Sequence, residues 1–186
     1  MDKNRKLNLA IFGGSFDPPH IGHIKIVQKS LETLPIDKLF IVPTYLNPFK
    51  DSFHAPADIR YKWIKEIFKN SDKVEVLDYE IRQKRAVSTI ETVKYLYKNY
   101  NIDKLYIIIG ADNIKKLKQW KDFDTLQKLA TFVVAARDGM DIPKNLINLE
   151  ISANISSTKL RESMDERYIP SSVKQEIISF YKEKNE

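Results

Sequence analysis

Five short apolar runs, separated by stretches with helical periodicity, set the tightest limit on what this chain can fold into. They are Leu7–Phe12, Lys38–Val42, Val74–Leu77, Leu105–Ile109 and Phe132–Ala136. Each has strand length, and Leu105-Tyr106-Ile107-Ile108-Ile109 is apolar at every position rather than at alternate ones, so both of its faces must be covered. From Gly22 onward Ile24, Val27 and Leu31 share a helical face, and from Ala57 to Asn70 Ile59, Trp63, Ile64, Ile67 and Phe68 do the same, which makes Trp63 a core residue. Thr89 to Tyr100 reads as a further helix, and a helical segment precedes Phe132. Strand and helix in alternation predict an α/β fold: a Rossmann-like, doubly wound parallel sheet with helices on both faces, joined by right-handed crossovers. From Pro170 to Glu186 the stripe Val173, Ile177, Ile178 and Tyr181 predicts a terminal helix, part of a C-terminal helical part packed on the sheet.

Such sheets bind ligands beyond the carboxyl ends of their strands. The segments in that position are the polar and glycine-bearing ones: Gly13 to His23 after the first strand, Asn47 to Lys50 after the second, and Gly110-Ala111-Asp112-Asn113 after the fourth. Gly13-Gly14-Ser15-Phe16-Asp17-Pro18-Pro19-His20-Ile21-Gly22-His23 places a glycine turn between a strand and a helix. Glycines admit close backbone approach, and the free amides at the start of the following helix attract anions. His20 and His23, three residues apart, share a face of that first turn, and two imidazoles beside an anion-binding backbone suggest a polyphosphate. A zinc reading fails: the chain has no cysteine, and His-x-x-His without a nearby helical Glu lacks the ligands.

The 186 residues suffice for one domain, 1–186, with a sizeable core. Absence of cysteine excludes a disulfide framework and thiol nucleophiles. The polar start, Met-Asp-Lys-Asn-Arg-Lys, does not resemble a signal peptide, and no apolar run approaches the ~20 residues that span a bilayer. We expect a soluble, cytoplasmic protein with no membrane partner. The net charge of +6 comes from lysines scattered over helix faces, such as Lys62, Lys65 and Lys69, so no nucleic-acid partner is expected; a modest positive field favours anionic substrates.

Gly14-Ser15-Phe16-Asp17-Pro18 followed by His20-Ile21-Gly22-His23 resembles the signature of the nucleotidyltransferase superfamily, whose His-x-Gly-His element binds a triphosphate. Ile155-Ser156-Ser157-Thr158-Lys159-Leu160-Arg161 resembles the Ile-Ser-Ser-Thr-x-x-Arg element that closes over the nucleotide from the other side. Gly110-Ala111-Asp112-Asn113 with Leu117 and Trp120 is similar to the Gly-Ala-Asp-Asn…Trp element of bacterial nicotinate-nucleotide adenylyltransferases, and Asn47-Pro48-Phe49-Lys50 and Arg60 also match that family. The likeness covers almost the whole chain. It departs at Ser88-Thr89-Ile90-Glu91-Thr92, where the family often has Tyr-Thr-x-Asp-Thr. His54 matches no motif and reads as a loop residue.

The resemblance implies ATP and nicotinate mononucleotide as substrates, nicotinate adenine dinucleotide and pyrophosphate as products, and direct transfer without a covalent intermediate. It implies ATP binding by Gly13, Gly14, Ser15, Phe16, His20, His23, Gly110, Asp112, Ile155, Ser156, Ser157, Thr158 and Arg161, with His20, His23 and Arg161 as the catalytic residues. His20 and His23 would donate to the triphosphate, Arg161 would neutralise its terminal charge, and Ser157 and Thr158 would offer hydroxyls and amides. Mg²⁺ would arrive mainly on the ATP phosphates rather than on protein ligands. Lys50, Thr89 and Trp120 are the implied contacts to the acceptor. Trp120 can stack on a pyridine ring or pack in the core, Asp112 can meet ribose hydroxyls or cap a helix, and Lys50 can anchor a phosphate or stay solvated. A transferase for another phosphorylated acceptor, such as phosphopantetheine, and a catalytically silent nucleotide-binding regulator are the competing readings. Monomer and homodimer both remain open.

Overall fold

The computed structural model describes residues 5–137, 142–144, 146–153 and 155–183; the polar start Met1 to Asn4 and the final three residues of the expected terminal helix lie outside them. Six strands form one all-parallel sheet: β1 (Leu7–Gly14), β2 (Lys38–Pro43), β3 (Val74–Val76), β4 (Ile102–Gly110), β5 (Thr131–Arg137) and β6 (Ile147–Ile151). Their order is β3-β2-β1-β4-β5-β6, so the chain winds outward from β1 in one direction and from β4 in the other. The crevice between the carboxyl ends of β1 and β4 is the switch point where this topology places ligands.

The uninterrupted apolar runs follow from cover on both faces. Leu9 and Ile11 of β1, with Ile107 and Ile109 of β4, enter one apolar cluster. Their neighbours Ala10, Phe12 and Ile108 enter a second cluster on the opposite face, as the two-residue strand period requires. Helices α4 (Thr89–Asn99) and α5 (Phe123–Leu129) cover the first face through Ile90, Val93, Leu96 and Leu126. Helices α1 (Ile21–Thr33) and α2 (Ala57–Phe68) cover the second through Val27 and Ile64. A four-residue helix, α3 (Tyr79–Arg82), links β3 to α4, and a 3₁₀ helix spans Ala111–Gln119 where a less specific helical segment was expected.

The C-terminal part comprises α6 (Ser157–Ser163), two short 3₁₀ turns and α7 (Lys174–Glu183). It is helical as expected, but it packs on α2 rather than on the sheet. Trp63, which is core as expected, presents from α2 to Ile155, Leu160, Ile169, Val173, Ile177, Ile178 and Tyr181, a third apolar cluster that contains no strand residue. The α2 helix is thus buried on two sides, Ile64 toward the sheet and Trp63 toward α7. Among the described residues no helix is long and apolar enough to cross a membrane.

Candidate active site

At the crevice lies a cavity of about 800 Å³, within the range typical of small-molecule sites. Its floor is the turn after β1. Phe16 adopts φ of 50°, a left-handed conformation that costs a bulky residue of order 1 kcal/mol or more. That backbone turn sends the Phe16 ring inward, edge-on to Phe12 at 5.5 Å and to His23 at 4.9 Å.

The two histidines form the start of α1. His20 is the N-cap, in extended conformation, and its backbone N–H donates to His23 Nδ1 at 3.1 Å. The His23 amide returns a bond to the His20 carbonyl at 2.9 Å, and the two rings stack 3.7 Å apart. This geometry fixes a tautomer: with Nδ1 accepting, a neutral His23 carries its proton on Nε2 and is a donor there. Enclosure by protein atoms, and secondly the neighbouring His20, hold the His23 pKa well below the usual imidazole value, so the ring is neutral at physiological pH. Part of its surface nevertheless faces the cavity. Gly22 is required between them, because a Cβ there would lie 2.9 Å from His20 Nδ1.

A buried polar scaffold ties this turn to distant elements. The Asp17 carboxylate accepts bonds from the backbone amides of His54 and Ala55 at 2.7 and 2.9 Å and from the Tyr181 hydroxyl of α7. Burial alone would raise the Asp17 pKa, but these bonds and the Arg60 charge outweigh it and hold the carboxyl below its ordinary value. Tyr181 is pushed up, first by burial and then by Asp17. Arg60, 1 % exposed, donates to the carbonyls of Ala55, Ser15 and Tyr45, joining three loop segments. Arg60 therefore acts on the site as a clamp rather than as a ligand. His54 is exposed, in a loop as expected, and its backbone supports Asp17.

The structure brings nearly all the residues singled out in the sequence to this one cavity. Gly13, Gly14, Ser15, Phe16, His20 and His23 line it from the first turn, Gly110 and Asp112 from the end of β4, and Ile155, Ser156, Ser157 and Thr158 from the segment before α6. Lys50 lines it from the connection after β2, Thr89 from the start of α4 and Trp120 from the end of the 3₁₀ helix. Asp112 is not an N-cap, that position being Gly110; its exposed carboxylate borders the cavity. Trp120 packs edge-on against Phe132 at 6.1 Å, as a core residue would, and also borders the cavity, so its two readings are not exclusive.

Two side chains are placed otherwise than expected. The Ser157 hydroxyl donates to the Pro18 carbonyl at 2.8 Å, so its proton pins α6 to the first turn rather than being offered to a ligand. The Arg161 guanidinium donates to the Asp17 carbonyl and, at 3.3 Å, to Thr158 Oγ1, and Arg161 is not among the cavity-lining residues. The bonds to the Pro18 and Asp17 carbonyls bridge the two motifs and commit the Ser157 proton and the Arg161 guanidinium to the first turn, although Ser157 itself still borders the cavity.

The departure at residues 88–92 is explained by a cap. Ser88 is the N-cap of α4, and Glu91 Oε1 accepts from its amide at 3.1 Å and its hydroxyl at 2.8 Å, while Oε2 pairs with Arg85 at 2.6 Å. The Arg85 bond first, then Ser88, hold Glu91 at a pKa of about 2. Sequence reasoning missed Glu80, which lines the same cavity at 6 % exposure. Its Oε1 accepts from Thr92 Oγ1 at 2.7 Å, and its Oε2 is buried without a hydrogen-bond partner.

The model of the cytidylyltransferase-like family matches residues 11–163. A curated relative from Sulfurimonas denitrificans, named "Probable nicotinate-nucleotide adenylyltransferase", is 50% identical over 177 residues, 95% of this chain and 96% of the relative. Another from Campylobacter fetus, of the same name, is 51% identical over 179 residues, 96% and 99% of the two chains. In fold the chain is similar to the solved Plasmodium falciparum nicotinic acid mononucleotide adenylyltransferase complexed with NaAD, with a TM-score of 0.73 at 22% identity over 96% of this chain and 98% of that one. With both histidines, the Gly-Ala-Asp-Asn turn and Trp120 gathered at one crevice, and with identity near one half along almost its entire length, the chain belongs to the nicotinate-nucleotide adenylyltransferases of the cytidylyltransferase-like family.

Proposed function

We propose that the protein joins ATP to nicotinate mononucleotide by direct in-line attack. An oxygen of the mononucleotide phosphate forms a bond to the α-phosphorus of ATP as the bond to the β-phosphate oxygen breaks, and the electron pair leaves on pyrophosphate. The attacking phosphate is already ionised, so a general base is not needed. Positioning and stabilisation of charge on the phosphoryl oxygens then carry the rate. One observation supports this most: a single cavity is lined by His20 and His23 together with Thr89 and Trp120.

In this reading His23 Nε2 donates to the triphosphate from a ring that its neighbour's backbone has already oriented. His20 stacks on it and shares the task. Thr158 Oγ1 and the backbone around Gly13 and Gly14 line the phosphate end, Asp112 meets ribose hydroxyls, and Lys50 approaches the acceptor phosphate. Arg161 reaches the terminal phosphates after exchanging its bond to the Asp17 carbonyl for one to substrate, a change of rotamer within one side chain. ATP enters with Mg²⁺ as part of the substrate, the ion being held mainly by phosphate oxygens and water as its hydration preference favours. Action in the cytoplasm belongs to the same proposal, resting on a cysteine-free chain.

The test is pyrophosphate release from ATP and Mg²⁺ with nicotinate mononucleotide, phosphopantetheine or no acceptor. We expect release only with the pyridine nucleotide, and release with another acceptor alone would overturn the assignment. A folded His23→Ala variant should lose about a hundredfold or more in turnover, the scale of losing a preorganised donor; near-normal turnover would remove His23 from the mechanism. Trp120→Ala should raise KM for the pyridine nucleotide more than KM for ATP, and equal losses would assign the ring to packing.

A further inference from the structure

Among the described residues Glu80 is the one buried carboxyl of the cavity wall that the mechanism leaves without a task. It sits on α3, which packs against α4 through the Thr92 hydroxyl on Glu80 Oε1 and through the stacked rings of Tyr79 and Tyr95, 4.2 Å apart. The second oxygen, Oε2, is buried and has no partner among the described residues, an arrangement that costs free energy unless a ligand completes it. Ser88 and Thr89 at the start of the 11-residue α4 line the same cavity, and the helix dipole there favours an anionic group. The acceptor nucleotide carries such a group besides its phosphate: the carboxylate on its pyridine ring.

We propose that Glu80 is a specificity-determining residue of the acceptor site, whose protonated Oε2 donates a hydrogen bond to the pyridine carboxylate and whose ionised form repels it. The ionised form instead accepts from a carboxamide, so the protonation state of one side chain sets the preference between nicotinate and nicotinamide mononucleotides. This rests on the acceptor reading given above. Burial, reinforced by the negative charge of Glu91 and opposed by the Thr92 bond, pushes the Glu80 pKa up to about 7, which puts the change of state in the physiological range. The charged and titratable groups around it are few. From α4 and its preceding turn come Glu91, its partner Arg85 and Tyr95; from α3 and its N-cap come Tyr79, whose own pKa is raised by burial and by Glu91, and the solvent-facing pair of Arg82 with Asp78 at 3.1 Å. Strand β2, against which α3 also packs, carries only Lys38, at its amino end and paired with Glu75 at 2.7 Å. Nothing in that set compensates the Glu80 charge directly.

The experiment measures kcat/KM for nicotinate and for nicotinamide mononucleotide at saturating MgATP from pH 6 to 8 and takes their ratio. The ratio cancels ionisation of the shared phosphate, of ATP and of the histidines, and at saturating MgATP kcat/KM for the mononucleotide reports the MgATP-bound enzyme with its acceptor site empty. For a group titrating near 7, the protonated fraction falls about tenfold between pH 6 and pH 8, so the ratio of nicotinate to nicotinamide efficiency should fall by about tenfold or more in the native protein. In Glu80→Gln, which keeps a donor at every pH, the ratio should become flat over the same range with the nicotinate substrate favoured throughout. A flat ratio in the native protein overturns the proposal without any variant being made. So does an unchanged slope in Glu80→Gln, which would leave the carboxyl a merely structural partner of Thr92. Failure of the underlying reading looks different: no pyrophosphate from either mononucleotide at any pH.

Discussion

One methyl group at position 22 would test how closely the two histidines are held. A Cβ on Gly22 would meet His20 Nδ1 at 2.9 Å, His20 Cε1 at 3.0 Å and Ile155 Cγ2 at 3.3 Å, so the His20 ring must shift from its present place against His23. Alanine gains up to about 1 kcal/mol over glycine in a helix, which offsets much of the strain. Gly22→Ala should therefore lose far more turnover than stability, a contrast read from kcat and a denaturation curve on the same preparation. Glu80 gives the converse signature. Its pKa is raised from 4.5 to about 7 in the folded protein, so as pH rises the unfolded chain releases this proton first. Its contribution is complete below about pH 4.5 and is lost by about pH 7, amounting to about 3 kcal/mol. Urea unfolding at pH 5 and pH 8 should show the native protein losing stability relative to Glu80→Gln by up to that amount. Equal losses would mean that Glu80 ionises normally. At this scale the sequence revealed what lies in motifs. The histidines, the glycine turn and Trp120 announce themselves by spacing, whereas a lone glutamate on a four-residue helix has no pattern, and its burial exists only once α3 has docked on α4. The positions of Ser157 and Arg161 were legible but the direction of their side chains was not, since both are held by carbonyls about 140 residues away in sequence.

Among the elements, α7 does more than close the apolar cluster around Trp63. Its Tyr181 hydroxyl reaches Asp17, the residue that holds the first turn to the loop at His54 and Ala55. Tyr181→Phe keeps the packing and removes the bond. A hydrogen bond to a charged, buried acceptor contributes about 1.5–3 kcal/mol, and a thermal or urea denaturation curve should show a loss of that order. Turnover at temperatures well below the transition should fall several-fold as the turn loosens, and an unaffected kcat would confine Tyr181 to stability. Most of these elements were readable. Strands β1, β2, β4 and β5 are apolar runs because both faces of the sheet are covered, and the stripes of α1, α2 and α7 follow from one-sided contact. Strand β6 escaped notice because it lies at the sheet edge, where Ile147, Asn148 and Glu150 are exposed and only Leu149 and Ile151 are buried. The docking of the C-terminal helices on α2 was equally hidden, since a helix stripe states that a face is buried without naming its partner.

Taken whole, the molecule is a cation that handles anions. Its net charge of +6 faces two phosphorylated substrates, and screening weakens such attraction once the Debye length falls to about 10 Å at 0.1 M salt. Raising sodium chloride from about 0.02 M to about 0.3 M should lower kcat/KM severalfold while kcat changes little, because chemistry proceeds in a site already shielded by protein. A fall in kcat of the same size would place the salt effect on the catalytic groups instead. The link from Tyr181 to Asp17 has a consequence in time as well as in space. Among the described residues every one that lines the cavity precedes α7, so a growing chain carries them before the hydroxyl that steadies the first turn has been made. Competence is thus tied to the synthesis of α7: a chain cut short before it would own the cavity residues and lack the brace that holds its opening motif in working shape.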